Sequence, residues 1–354
     1  MATRSLPASL LAALSLSLIA STASARPATI ADLERIETIG DAQISPDGRD
    51  VLYTVTTTDV AADTQRTSIW RVGWEGAAPV RVTRPEDGAS APRWSPDGRW
   101  ISFIQSQGDS PGQLWLLDRQ GGSAPKRATD VDGGVDHYVW SPDSRRLALV
   151  RRVETPLRKG ADGKQIPEPW VIDRVRFKED AGDGYLHNRI KPPRIYLYDL
   201  QAQTLEPLTA GGEFEEESPS WSPDGDRIAF VSNRQPDWQH SDYGDIFVAP
   251  ARAGATPTRL TDFPGYEGAP AWSPDGRQIV FAHGSDPQYW MYNQLDLPSV
   301  PAAGGPIRRL ATALDRDIGD PVFSPDGRTI RFLVSDDLEH VLAQVPAKDG
   351  KGEP

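Results

Sequence analysis

Apolar residues recur along this chain in a fixed order. An apolar residue, usually Trp, precedes Ser-Pro-Asp-Gly, and a short apolar run follows. The units start at Ile44, Trp94, Trp140, Trp221, Trp272 and Phe323 and continue through Ser45, Ser95, Ser141, Ser222, Ser273 and Ser324 into Pro-Asp. Gly closes the motif everywhere except in the third unit, where Ser144 stands instead. Five residues beyond the Pro come Val51, Ile101, Leu147, Ile228, Ile279 and Ile330, and two further on Tyr53, Phe103, Leu149, Phe230, Phe281 and Phe332. Apolar positions two apart predict a strand with one buried face. Between the Trp and that strand, Pro presets φ, Asp bonds the backbone ahead and Gly takes the left-handed conformation, which together predict a tight hairpin.

Two more strands complete each unit. One is predicted at Ile69-Trp70, Leu114 to Leu116, Ile195 to Leu197, Ile246 to Val248 and Val341-Leu342. The other follows a polar turn, at Val80 to Thr83, Lys126 to Thr129, Leu205 to Thr209, Arg259 to Thr261 and Ile307 to Leu310. Four antiparallel strands repeated at about 50 residues are the signature of a β-propeller blade. The expected fold is therefore all-β: six repeats, with Trp94, Trp140, Trp221, Trp272 and Phe323 wedged between blades. The third repeat carries an insertion at about 156–193, whose second part alternates like a strand and turns at Ala181-Gly-Asp-Gly, predicting a projecting hairpin. Residues 30–39 are helix-like and predict a short lead-in within 26–40, with the propeller over 41–354. In the sixth unit the turn after Pro346 leads to no outer Arg-Leu-Thr strand, so the last blade is expected to be incomplete and the chain truncated.

Residues 1–25 hold Arg4, an apolar stretch from Leu10 to Ala20 and an Ala23-Ser24-Ala25 cleavage pattern, which together predict a secretory signal and a periplasmic or secreted protein. The net charge of −12 argues against a nucleic-acid partner, whose phosphates are met by basic patches. The absence of Cys rules out disulfides, a thiol nucleophile and Cys-ligated zinc. No phosphate loop, dinucleotide fingerprint, His-Glu-x-x-His or EF-hand pattern occurs, and no cofactor is expected.

The Trp-Ser-Pro-Asp-Gly units and the outer strands ending in Leu-Thr or Val-Thr resemble exported TolB-like propellers. A more discriminating stretch is Pro169-Trp-Val-Ile-Asp-Arg-Val-Arg-Phe-Lys-Glu-Asp-Ala-Gly-Asp-Gly-Tyr-Leu, running on to Ile195-Tyr-Leu-Tyr-Asp-Leu. It resembles the third-blade hairpin of prolyl oligopeptidase family serine peptidases, in their acylaminoacyl-peptidase and dipeptidyl-peptidase branch. The resemblance covers about residues 30–354. It implies a usually seven-bladed propeller that size-selects peptides and covers an α/β-hydrolase domain bearing the catalytic Ser, Asp and His. That domain is missing here, so the hydrolase and peptide substrates are the expected partners and the chain alone is expected to lack activity. The single Gly-x-Ser-x-Gly match, Gly108 to Gly112, is expected in a hairpin loop rather than at a strand-to-helix nucleophile elbow. The five histidines, His137, His187, His240, His283 and His340, stand in no catalytic motif.

The remaining candidate chemistry is acidic. Five to nine residues before each Pro stand Asp41, Asp87, Asp136, Glu215 with Glu216 and Glu217, Glu267, and Asp317 with Asp320. These loops enter the innermost strands, so their carboxylates are expected at one mouth of the channel, either as solvated polar loops or as a negative field that attracts a peptide ammonium. Glu215, Glu216 and Glu217, with Asp136 and Glu267, are the candidate amine-binding residues. The dipeptidyl-peptidase resemblance implies a glutamate pair in that role, although here the glutamates directly precede the Trp221 strand. Arg174 and Arg176 in the hairpin are expected to be charged residues alternating on an exposed strand face, with contact to a substrate carboxylate or to the hydrolase domain as the alternative. Two other readings are a TolB-like protein-binding propeller and a lactonase or esterase with an axial calcium held by the acids.

Overall fold

The structure, a computed structural model, describes residues 27–348 apart from 28, 34, 109, 121–123, 213, 236–242, 285–293, 338 and most of 154–191. The expected blade-three hairpin, including Arg174 and Arg176, lies outside the described residues, as do His187, His240 and the signal sequence.

Six antiparallel sheets succeed one another along the chain. Blade 1 comprises β1 (Thr38–Ile44), β2 (Asp50–Asp59), β3 (Thr64–Gly73) and β4 (Val80–Arg81). Blade 2 holds β5 (Ala89–Trp94), β6 (Trp100–Gln105), β7 (Gln113–Asp118) and β8 (Lys126–Arg127). Blade 3 holds β9 (His137–Trp140), β10 (Arg146–Arg151), β11 (Arg194–Asp199) and β12 (Thr204–Pro207). Blade 4 holds β13 (Glu217–Trp221), β14 (Arg227–Ser232), β15 (Asp245–Pro250) and β16 (Thr258–Arg259). Blade 5 holds β17 (Tyr266–Trp272), β18 (Gln278–Gly284), β19 (Leu295–Pro301) and β20 (Arg308–Leu310). Blade 6 has three strands among the described residues: β21 (Asp317–Phe323), β22 (Thr329–Asp336) and β23 (Glu339–Pro346). Within every sheet the strands lie in chain order, and first strands of successive blades touch, as blades around an axis require.

Each first hairpin is organised by its serine. The hydroxyls of Ser45, Ser95, Ser141, Ser222, Ser273 and Ser324 donate to the Asp two residues on, at 2.5–2.7 Å. The same oxygens accept the amides of Asp50, Trp100, Arg146, Arg227, Gln278 and Thr329, at 2.8–3.0 Å. All six serines are buried. A buried hydroxyl left without partners is costly, so the Ser fixes the turn more firmly than the Pro or Gly that made it visible. In the third unit Ser144 adopts φ 60°, the left-handed conformation that glycine fills at the other five turns.

The tryptophans lie between blades. Trp94, Trp140, Trp221 and Trp272 are buried, and each indole N–H reaches the preceding blade. Their acceptors are the Gln43 carbonyl at 3.2 Å, the Ser102 hydroxyl at 2.8 Å, the Val139 carbonyl at 3.3 Å and the Ser220 carbonyl at 2.9 Å. Guanidinium groups cover three of these rings: Arg119 over Trp94, Arg146 over Trp221 and Arg227 over Trp272, at 5.0, 5.0 and 4.7 Å. Arg146 and Arg227 also donate to the Gly225 and Gly276 carbonyls in the next blade's turn, which splints one sheet to the next.

The lead-in differs from expectation. Helix α1 covers only Ile30–Leu33, and β1 begins at Thr38, inside the segment expected to precede the propeller. Thr38 and Ile39 pair with Thr56 and Val55. Their β-branched side chains favour this ladder over a helix that would have nothing to pack against.

Replacing Trp94 by Ala removes a buried wedge, its hydrogen bond to blade 1 and the platform under Arg119. Denaturant unfolding of Trp94→Ala should report a loss of about 3–5 kcal/mol.

Candidate functional site

Antiparallel order sends the Ser-Pro-Asp turns to one end of the propeller and the links between successive blades to the other. The candidate carboxylates lie on the second end, where each fourth strand hands over to the next blade. Here a threonine recurs. The hydroxyls of Thr83, Thr129 and Thr261 accept the amides of Ile69, Leu114 and Ile246, the residue where each third strand enters the core, at 2.8–2.9 Å. Thr209 occupies the equivalent place in blade 3 beside Ile195.

Two of the candidate glutamates complete this corner. Glu216 is fully buried, and its carboxylate accepts from the Thr209 hydroxyl, the Ile195 amide at 3.3 Å and Arg234 at 2.6 Å, with Arg194 at 3.6 Å. Arg234 in turn lies over Phe214, Phe230 and Phe247. Glu267 holds the next junction in the same manner, accepting from the Thr261 hydroxyl and the Ile246 amide at 3.0 Å. Its other oxygen, Oε1, is buried without a partner, and burial pushes the carboxyl up to about 8, so it is largely protonated at neutral pH. Both glutamates sit seven residues before their repeat proline. At three other junctions that slot holds buried Ala89, Val135 and Ile318. The slot is an interblade filling position. Glu216 and Glu267 are therefore turned into the wall between blades and not toward the channel mouth, because their oxygens close the threonine corner.

The remaining acids are distributed differently. Asp41 is exposed at the inner strand and bound by Arg93 of blade 2 through both oxygens at 2.8 Å. Asp136 is exposed at its rim, yet the wall around it raises its carboxyl, opposed by the charges of Arg152 and Arg151. Glu217 and Asp320 are exposed, and Glu215 is half-buried. Asp87 caps the amide of Arg84 at 3.1 Å, and Asp317 accepts the Leu295 amide of blade 5 at 2.9 Å. Among the described residues no three acids or histidines gather closely enough to hold a metal ion.

Left-handed kinks at this end were not foreseen. Asp41, Ala91, Ser218, Ala269 and Asp320, each five residues before its repeat proline, have φ between 45° and 51°. Each lies where the register between first and second strands slips. A bulge of this kind bends the strand and re-aims side chains, a device common at rims and sites. Blade 3 lacks the bulge and carries His137 there, half-buried, its imidazole pushed down by burial and by Arg93.

The Gly-x-Ser-x-Gly match lies between β6 and β7, with Asp109 outside the described residues. A strand follows it where a nucleophile elbow needs a helix. His283 is buried with Nδ1 3.1 Å from Asp296 and its ring 4.7 Å from Phe263, inside the blade 4–5 junction. His340 lies on β23 beside Ser335.

Removing the Glu216 carboxylate strands Arg234 and Arg194 in the wall, so Glu216→Ala should lower stability by about 3–5 kcal/mol. Exposed Glu217→Ala should stay within about 1 kcal/mol in the same denaturation assay. Glu267 gives the opposite pH signature to a salt-bridged acid. Between the ordinary value of 4.5 and about 8 the unfolded chain releases this proton while the folded chain keeps it, so stability falls as pH rises. Across that window the loss approaches 1.4 kcal/mol per pH unit. Glu267→Gln, which mimics the neutral acid, should flatten that slope in thermal melts from pH 5 to 8.

No family model matches the chain. It is 25% identical over 332 residues to the dipeptidyl-peptidase 5 of Porphyromonas gingivalis, covering 88% of this chain and 47% of that one. The chain spans between a third and about half of the curated relatives it matches. Its fold superposes on the uncomplexed acylaminoacyl peptidase of Pyrococcus horikoshii with a TM-score of 0.63 at 18% identity, over 88% of this chain and 45% of that one. It also matches the β-propeller domain of the Trilobed protease from Pyrococcus furiosus, with a TM-score of 0.61 at 16% identity, over 91% and 83% of the two chains. The chain is a β-propeller similar across most of its length to the dipeptidyl-peptidase 5 of Porphyromonas gingivalis.

Proposed function

We propose that this chain is the substrate-gating propeller of an exported serine peptidase of the prolyl-oligopeptidase type, acting against an α/β-hydrolase domain. The observation that carries the reading is the similarity to dipeptidyl-peptidase 5 along almost the whole propeller. Peptides would reach the catalytic domain past the end of the propeller where the interblade links and bulged inner strands lie. There, exposed Glu217, Asp136 and Asp320 would supply a negative rim suited to the ammonium of a short peptide. Glu215, half-buried beside Glu217, would assist them. Glu216 and Glu267 would serve by holding the wall, leaving Glu217 and Asp136 as the amine acceptors of the candidate set. Chemistry would come from the hydrolase partner, whose Ser, Asp and His this propeller would cover.

The test is reconstitution. The purified chain should not hydrolyse chromogenic dipeptidyl substrates alone, and should restore selectivity for short peptides when mixed with a separately produced hydrolase domain of a dipeptidyl-peptidase 5 relative. Glu217→Gln with Asp136→Asn should then raise KM for free-amine dipeptides several-fold and leave N-blocked substrates unchanged. Turnover by the chain alone, or a hydrolase indifferent to its addition, would refute the reading.

A further inference from the structure

The junction between blades 1 and 2 departs from the repeat. In blades 3 and 4 the residue four places after the repeat proline is an arginine, Arg146 or Arg227, which crosses to the next blade and donates to the Gly225 or Gly276 carbonyl at 2.8 and 3.0 Å. In blade 1 that place belongs to Asp50. The guanidinium over the next tryptophan, Trp94, comes instead from Arg119 of blade 2. It reaches back to Asp50 at 2.7 Å and to Asp47 at 2.9 Å. Arg119 holds the Asp47 carboxyl well below the usual carboxylate range, so that acid stays ionised and committed to it.

One arginine thus occupies two aspartates, and the arginines around it are left without acids. Between the two hairpin turns lies a cleft of about 550 Å³ lined by Arg49, Arg71, Arg99, Arg119, Asp47 and Asp97. Asp97 serves its own turn, accepting from the Ser95 hydroxyl at 2.5 Å and the Arg99 amide at 3.0 Å. Arg99 keeps a long contact of 3.7 Å to Asp118 and lies over Trp100. The guanidiniums of exposed Arg49 and half-buried Arg71 make no hydrogen bond or ion pair with a described residue. Like charges gathered in a recess raise and focus the local potential. In a chain of net charge −12 this cleft runs against the sign of the molecule.

We propose that the cleft between the first hairpin turns of blades 1 and 2 binds a phosphate-type oxyanion through Arg49, Arg71 and Arg99, with Arg119 bracing its wall. Planar guanidinium forks match the paired oxygens of such a group and give it charge-assisted hydrogen bonds. Arg119 stays with Asp47 and Asp50 and keeps the two turns at a fixed separation. The phosphoryl group arrives either on a free phosphomonoester or on the headgroup of an anionic lipid. Trp74, 64% exposed, stands at the same end with its amide on the Arg49 carbonyl at 2.7 Å, and would meet the second source. The inference is independent of peptide gating, since the cleft lies at the turn-bearing end and not at the channel mouth.

Calorimetric titration of the full chain at pH 8 in low-chloride buffer tests it, with inorganic phosphate and glycerol 3-phosphate as soluble probes. Saturable binding is expected. Arg49→Ala and Arg71→Ala should each weaken it roughly fivefold or more, while an unchanged melting temperature shows the blades intact. Arg71→Lys, which keeps the charge and loses the fork, should weaken it about two- to threefold. Arg277→Ala, at the repeat position of Arg49 in blade 5, should leave it unchanged. Co-sedimentation with phosphatidylglycerol vesicles, against phosphatidylcholine vesicles, reads the lipid source. Binding to either source that Arg71→Ala removes supports the site and names its ligand. No response to phosphate, phosphomonoester or phosphatidylglycerol would overturn the proposal. So would equal binding of chloride at matched ionic strength, an Arg277→Ala loss as large as that of Arg49→Ala, or Arg49→Ala and Arg71→Ala variants that bind like the parent.

Discussion

Every blade here is a thin sheet with two faces to cover, and only a neighbouring blade can cover them. That constraint explains why the repeat is so uniform at its interblade positions and so variable elsewhere. The slots five and seven residues after the proline, the Trp slot before it and the slot seven residues before it all fill the gap between sheets. Where a neighbour precedes, they are buried, Ala89, Val135 and Ile318 as fully as Glu216 and Glu267, with only Phe323 of the Trp slots half-buried. Blade 1 has no preceding blade among the described residues, and the same slots hold Ile39 and Ile44, 69% and 60% exposed. No hydrogen bond or ion pair between described residues joins its strands to those of blade 6. Apolar side chains in these slots therefore report the blade arrangement and are not surface decoration.

The same constraint governs the charged groups. A carboxylate entering an interblade slot loses its water, and it persists only where donors replace it. Glu216 meets that requirement with two arginines, a hydroxyl and an amide, whereas Glu267 keeps its proton and leaves one oxygen unpartnered. Two residues in identical repeat positions thus find different partners. The difference traces to Arg234, which stands on a phenylalanine stack in blade 4 and brings its guanidinium to Glu216.

Legibility in the sequence followed periodicity. The six hairpins, the second strands and the tryptophan wedges recur at fixed spacing, and their chemistry is local, so reading the chain was enough to place them. The outer strands ending in Leu-Thr were equally visible, but not what their threonines do, because each hydroxyl answers an amide 14 or 15 residues earlier in a partner strand. The acids illustrate the limit. Their offsets from the proline differ by a few residues, and on a strand with period two such shifts decide whether a side chain enters the wall or reaches water. The bulges at Asp41, Ala91, Ser218, Ala269 and Asp320 displace that parity again, and no residue type there announces them. Ala91 and Ala269 resist a positive φ, so the ladder on either side must impose it.

Those bulges tie the fold to the proposed gate. A regular inner strand would run its side chains straight into the axis and crowd the channel. Slipping one residue at the link-bearing end bends the first strands of blades 1, 2, 4, 5 and 6 and places Asp41, Ala91, Ser218, Ala269 and Asp320 at the kinks. In the proposed gate these positions would form a mouth lined by small groups and flanked by carboxylates, set on strands braced by Trp wedges and Arg splints. A gate built that way would discriminate by width and charge without moving. The walls would supply the width, and Glu217, Asp136 and Asp320 the charge. The buried glutamates are what make the combination workable, since a wall tied shut at Ile195 and Ile246 keeps the exposed acids at fixed separations.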